Sequence, residues 1–192
     1  MHIKTAIELI HARPRSWVRV QEVRKSRGHL DLCLSIHKEN SGRKKIDEWS
    51  VTCRGVREMN LSDFDGGGLA LYSATHPAAR QYLARHGTLR WRGKIDKFAV
   101  LGALYQAHTA AVNDWIPFDR YVSLRSISDE GGASKGPDFL MRAYAKTLRA
   151  QGADTQFTLL RKRKATSLEV LHFGASSVVA ASFTAEHRDD WA

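Results

Sequence analysis

At 192 residues, 43% hydrophobic and 26% charged, the chain has an ordinary globular composition and a length near that of one domain, which excludes wholesale disorder. Its formal net charge is +10, and its two cysteines, Cys33 and Cys53, allow at most one bridge, weak support for a disulfide-built fold, and exclude a Cys-rich zinc site. No run approaches the roughly 18 apolar residues of a membrane span, and residues 1–16 lack the unbroken apolar segment of a secretory signal. These features lead to the expectation of one cytoplasmic α+β domain over 1–192, with free thiols and no membrane partner.

Ile3, Ala6, Ile7 and Ile10 recur at helical spacing until Pro14, so the pattern predicts an amphipathic helix over 3–12. The period then becomes two. Val18 and Val20, then Leu30 to Ile36, then Trp49 to Cys53 alternate with polar residues, as half-buried strands do. Ser26-Arg27-Gly28 and Glu39-Asn40-Ser41-Gly42 separate them with turn chemistry, so these three strands form an antiparallel meander.

Asp63 to Gly68 interrupts regular structure, and Gly68 to Tyr72 reads as another strand. A helix opens at His76-Pro77 and closes at Gly87, before Leu89 and Trp91 alternate as a fifth strand. The strongest helix starts at Asp96, an N-cap residue, with Phe98, Leu101, Leu104, Tyr105, His108 and Val112 expected along one buried face. Pro117 ends that stretch. Residues 125–136 read as loop, and 137–150 as a helix presenting Phe139, Leu140, Ala143, Tyr144 and Leu148. Strands near 155–162 and 167–173 follow, and Ser177 to Phe183 supplies one more β-branched run. The predicted fold is α+β: a mostly antiparallel sheet of five to eight strands, with an N-terminal three-strand meander and two main helices packed on one side.

No catalytic or cofactor motif occurs. Gly131 to Asp138 resembles a phosphate cradle, but Gly136 is followed by Pro137 and Asp138 where a P-loop requires Lys and then Ser or Thr. His108 and Asp114 stand six apart and do not share a helix face, so His108 reads as a core histidine; His76 reads as a turn residue, and Asp119 with Arg120 as a local ion pair. Nothing here gives positive support to an enzyme, a cofactor or a bound metal.

The remaining signal is charge. Residues 1–57 hold thirteen Lys and Arg against six Asp and Glu, whereas residues 106–140 hold three against five. The basic segments are Arg13 and Arg15 before Trp17; Arg19 on the first strand; Arg24, Lys25 and Arg27 at the first turn; Arg43, Lys44 and Lys45 at the second; Arg90 and Arg92 around Trp91; and the run Arg161, Lys162, Arg163, Lys164. Strand alternation turns Leu89 and Trp91 inward and Arg90 and Arg92 outward. Such a distribution concentrates polyanions. The expected function is therefore non-catalytic binding of nucleic acid or another polyanion through these fifteen residues. The alternatives are a protein–protein module, an inhibitor or immunity-type partner of an acidic protein, and an enzyme of unknown class.

Overall fold

The computed structural model describes residues 1–12, 16–38, 45–62, 67–128, 130–160 and 167–188, with the Lys45 side chain outside that set. Among them are four α-helices, α1 (Ile3–His11), α2 (Pro77–Leu83), α3 (Lys97–Val112) and α4 (Asp138–Ala150). The strands are β1 (Ser16–Ser26), β2 (His29–Lys38), β3 (Lys45–Arg54), β4 (Glu58–Asn60), β5 (Leu69–Tyr72), β6 (His86–Arg92), β7 (Ile127–Ser128), β8 (Gly131–Pro137), β9 (Asp154–Leu159), β10 (Glu169–Phe173), β11 (Ser176–Ala180) and β12 (Ser182–His187). Every pairing between them is antiparallel, so the class is α+β, and β1, β2 and β3 form the expected meander. The strands divide into three four-stranded sheets, more strands than the five to eight expected. No described helix is long and apolar enough to cross a membrane.

The chain divides into two compact units, Met1–Ala79 with Thr166–Ala192, and Arg80–Ala165. The first unit contains a sheet ordered β1-β2-β3-β12 and another ordered β4-β11-β10-β5. Its core combines the inward residues of the meander, such as Leu32, Leu34, Val51 and Cys53, with Ile3, Ala6, Ile7 and Ile10 of α1 and Leu69, Leu171, Phe173 and Val178 of the second sheet. The run read as one strand over 177–183 is two strands in different sheets, broken at Ala181, whose N–H donates to the Arg54 carbonyl. Cys33 and Cys53 are free thiols and project to opposite faces of their sheet, Cys33 paired with Ser50 and Cys53 with Leu30.

The second unit runs β6-α3-β7-β8-α4-β9, and its sheet is ordered β7-β8-β6-β9. This β-α-β-β-α-β connectivity is the split βαβ arrangement. Leu89 and Trp91 of β6 pack into one core with Leu140, Met141, Tyr144 and Leu148 of α4 and Val100, Leu104 and Val112 of α3.

The helix read as closing at Gly87 ends at Leu83, with Gly87 inside β6, and two further expectations fail here. Residues 131–136 form the strand β8 rather than a loop. Glycine is required at Gly132 because a side chain there would meet the Trp91 indole edge, and at Gly136 because a Cβ would stand 2.7 Å from the Tyr121 ring. Large neighbours fill the space that strand side chains normally occupy, which hides the alternation. The second failure is the phase of α3. Asp96 caps it as expected, accepting from the Phe98 and Ala99 N–H groups at 2.8 Å, but the buried line is Val100, Leu104, His108 and Val112. Phe98 and Tyr105 are exposed. At 100° per residue Phe98 lies about 200° around from Val100, on the opposite side.

Candidate polyanion-binding face

The sheet of the second unit is covered by helices on one face only. Alternation from the buried Leu89 and Trp91 places Thr88, Arg90 and Arg92 of β6 on the other face, and register extends the pattern across the sheet. Arg92 stands between Gly131 of β8 and Asp154 of β9, Arg90 between Ala133 and Gln156, and Thr88 between Lys135 and Thr158. Arg90, Arg92, Ala133, Lys135, Gln156 and Thr158 are all exposed.

This arrangement puts three cations on the two central strands. Neighbours on one face of a strand are about 7 Å apart, and diagonal neighbours on adjacent strands about 7–8 Å. Arg92, Arg90 and Lys135 therefore form a short bent row, moderated by Asp154 beside Arg92. Gly131 and Ala133 leave the sheet low next to the arginines. A shallow depression of about 540 Å³ beside Arg90 and Arg92 is lined also by Arg125, Ser126, Ser128 and the acidic Glu130, and Lys135 stands outside it. No aromatic side chain occupies these outward positions, so the face offers charge rather than stacking platforms.

The other predicted basic residues have different settings. Arg19 and Arg24 lie on the outward face of the meander, where the opposing charges are close by. Arg24 Nε donates to Glu22 at 2.5 Å, and Asp31, Glu48 and Arg188 share that face. Lys25 and Arg27 are exposed at the β1–β2 turn, where Lys25 lines a depression of about 390 Å³ with His29, Arg57 and Glu58. The structure thus brings Arg90 and Arg92 together with Lys135, and leaves Arg24 among carboxylates. Arg13, Arg15, Arg43, Lys44, Arg161, Lys162, Arg163 and Lys164 lie outside the described residues, as does the Lys45 side chain.

Beneath Arg188, the meander face holds polar groups that the sequence pattern did not single out. Ser35, His37 and Glu48 are each at most 5% exposed. Gln21 Nε2 donates to Ser35 Oγ at 2.7 Å, which lies 2.8 Å from His37 Nε2, and Trp17 stacks on the His37 ring at 4.4 Å. The Cys33 thiol donates to Glu48 Oε1 at 3.1 Å, and burial and that carboxylate push it above its ordinary pKa. The signal available in sequence was the i, i+2, i+4 recurrence of Cys33, Ser35 and His37 on one strand face.

His108 is a core histidine. Its Nε2 donates to the Ile116 carbonyl at 2.7 Å, and with that tautomer Nδ1 accepts from the Tyr144 hydroxyl at 2.6 Å. His76 accepts the Ala78 N–H through Nδ1 at 3.4 Å at the start of α2 and stacks on Tyr72. Burial holds the pKa values of His76 and His172 below the ordinary one, and for His76 the neighbouring His172 adds to the shift. Asp119 is exposed, and Arg120 donates to Gln81 Oε1 at 3.0 Å. Among the described residues no group of three or more His, Cys, Asp or Glu is placed to hold a metal ion. No family model, curated protein or solved structure matches the chain.

Proposed function

We propose that the protein is a non-catalytic binding protein that holds the phosphate backbone of nucleic acid, or another polyanion, on the open face of the β7-β8-β6-β9 sheet. The observation that carries this reading is the row Arg92, Arg90 and Lys135 on the two central strands, exposed beside the low floor of Gly131 and Ala133. Arginine forks suit phosphate oxygens, and a floor of glycine and alanine lets a bulky backbone approach. With charge and no stacking platform, the contact reads backbone rather than base.

The net charge of +10 adds a steering field over this local contact. Binding of a fluorescent oligonucleotide of random sequence tests the proposal. Affinity is expected to fall steeply and linearly on a log–log scale as salt rises, with little dependence on base sequence. Binding that is absent at low salt, or that ignores salt, contradicts it. Recovery of an acidic protein instead of nucleic acid on the same arginines favours the protein–protein reading.

A further inference from the structure

We propose that the outward face of the meander carries a binding site for a small zwitterion, the chemical class of a free α-amino acid, seated on Glu48 and Arg188. A depression of about 530 Å³ there is lined by two carboxylates, Glu22 and Glu48, two guanidinium groups, Arg24 and Arg188, and Gln21, Cys33 and His37. Pockets for small molecules have volumes of about 300–1,000 Å³. A smaller depression of about 160 Å³ shares Glu22, Arg24, Cys33 and Arg188 with it and adds Asp31, Leu32 and Ser50. All of these residues belong to the first unit.

Register and one irregularity build the site. Ser35 stands opposite Glu48, and Cys33 stands between Glu22 and Ser50. Val20 pairs with Leu34 and Glu22 with Cys33, so Gln21 is the extra residue of a β-bulge, and both Gln21 and Glu22 line the depression. Bulges re-aim side chains in this way beside functional sites. Outward positions of a sheet with one face in the core are ordinarily solvated, yet His37 and Glu48 are each 5% exposed. A carboxylate so deep costs desolvation free energy that pairing only offsets, a cost that Ser50 and Thr52, the next outward residues of β3, avoid.

The class of ligand follows from the charges. Arg24 Nε is 2.5 Å from Glu22 Oε1, and Arg188 Nη1 is 3.2 Å from Glu48 Oε1, so the carboxylates and guanidinium groups of the larger depression balance. Asp31, in the smaller one, is paired with His29 at 3.0 Å. A purely anionic or purely cationic ligand leaves one member of a pair uncompensated where water is restricted. A zwitterion does not, because its ammonium meets Glu48 while its carboxylate meets Arg188, two charge-assisted contacts made side by side. The α-ammonium and α-carboxylate of an amino acid stand on one carbon atom and so match these adjacent groups. The Cys33 thiol, 3.1 Å from Glu48 Oε1 and 3.7 Å from Arg188 Nη1, lies beside both charges and is covered by such a ligand.

Alkylation of Cys33 by iodoacetamide in the full chain, with each common amino acid except cysteine added in turn at millimolar concentration, tests this. Propionate and propylammonium at the same pH serve as probes with one charge each. At least one amino acid is expected to slow alkylation saturably and to raise Tm, because it binds only the folded chain, whereas the two single-charge probes do neither. E48Q and R188Q, each compared with its own ligand-free rate, should need about tenfold or more of that amino acid for the same protection, with circular dichroism unchanged. R90A/R92A/K135A, on the other unit, should keep the protection whether or not it binds a polyanion. A parent protein in which no amino acid slows alkylation overturns the proposal. Equal protection by propionate or propylammonium overturns the zwitterion class, and undiminished protection in E48Q and R188Q overturns the seat on Glu48 and Arg188.

Discussion

The Cys33 thiol donates to Glu48 Oε1 at 3.1 Å, and the same carboxylate oxygen accepts from Arg188 Nη1 at 3.2 Å. Arg188 Nη1 also lies 3.7 Å from the sulfur. Glu48 thus opposes the thiolate that Arg188 favours, on a face already shielded from water.

From this geometry, alkylation by iodoacetamide at mildly alkaline pH should be slower at Cys33 than in an unfolded peptide, because only the thiolate reacts. E48Q should speed the reaction severalfold and R188Q should slow it. Cys53, buried with its pKa pushed up to about 12, should react only when the protein unfolds. Faster alkylation in R188Q would contradict the assigned roles.

His76 and His172 are held below the ordinary histidine value, so the unfolded chain binds more protons than the folded one in mild acid. The stability they allow is complete above about pH 6.5 and is lost as pH falls from there through their lowered values. Tm should therefore drop between neutral pH and pH 5. H172Q removes one of the two histidines and its repulsion on the other, and should reduce that drop. An unchanged acid limb in H172Q, followed by differential scanning calorimetry, would show that other groups control it.

Trp91 fills the space over Gly132, but its indole N–H is buried without a hydrogen-bond partner among the described residues. A lone buried donor costs free energy that a phenyl ring avoids. W91F is expected to cost at most about 1–2 kcal/mol, since part of the missing packing is offset by removal of the donor, whereas W91A should cost about 3–5 kcal/mol. Equal destabilisation in urea denaturation would mean that the N–H has a partner in solution.

The meander was legible because its inward residues are large and its outward ones polar, and the Asp96 cap because a side-chain oxygen there satisfies two orphan N–H groups. Arg90 and Arg92 could be aimed outward from Leu89 and Trp91 alone. Lys135 could not be placed beside them, because Gly132 and Gly136 surrender their space to Trp91 and Tyr121 and so leave no hydrophobic period in β8. The phase of α3 was hidden differently. A helix without a charged side gives no polar stripe to mark which face is outward, so the spacing of Phe98, Leu101, Leu104, Tyr105, His108 and Val112 passed for a buried face. The switch of sheets between β11 and β12 falls within a continuous run of small and β-branched residues, Ser177 to Phe183, which a single strand also satisfies.

The salt dependence of oligonucleotide binding, compared between the parent protein and R90A/R92A/K135A, tests the central claim most directly. All three side chains are exposed, so the variant should fold like the parent. If they touch phosphates, affinity falls and the log–log slope becomes shallower by about 0.9 for each duplex phosphate that the variant no longer neutralises. An unchanged affinity and slope would show that the open sheet face is not where the polyanion binds.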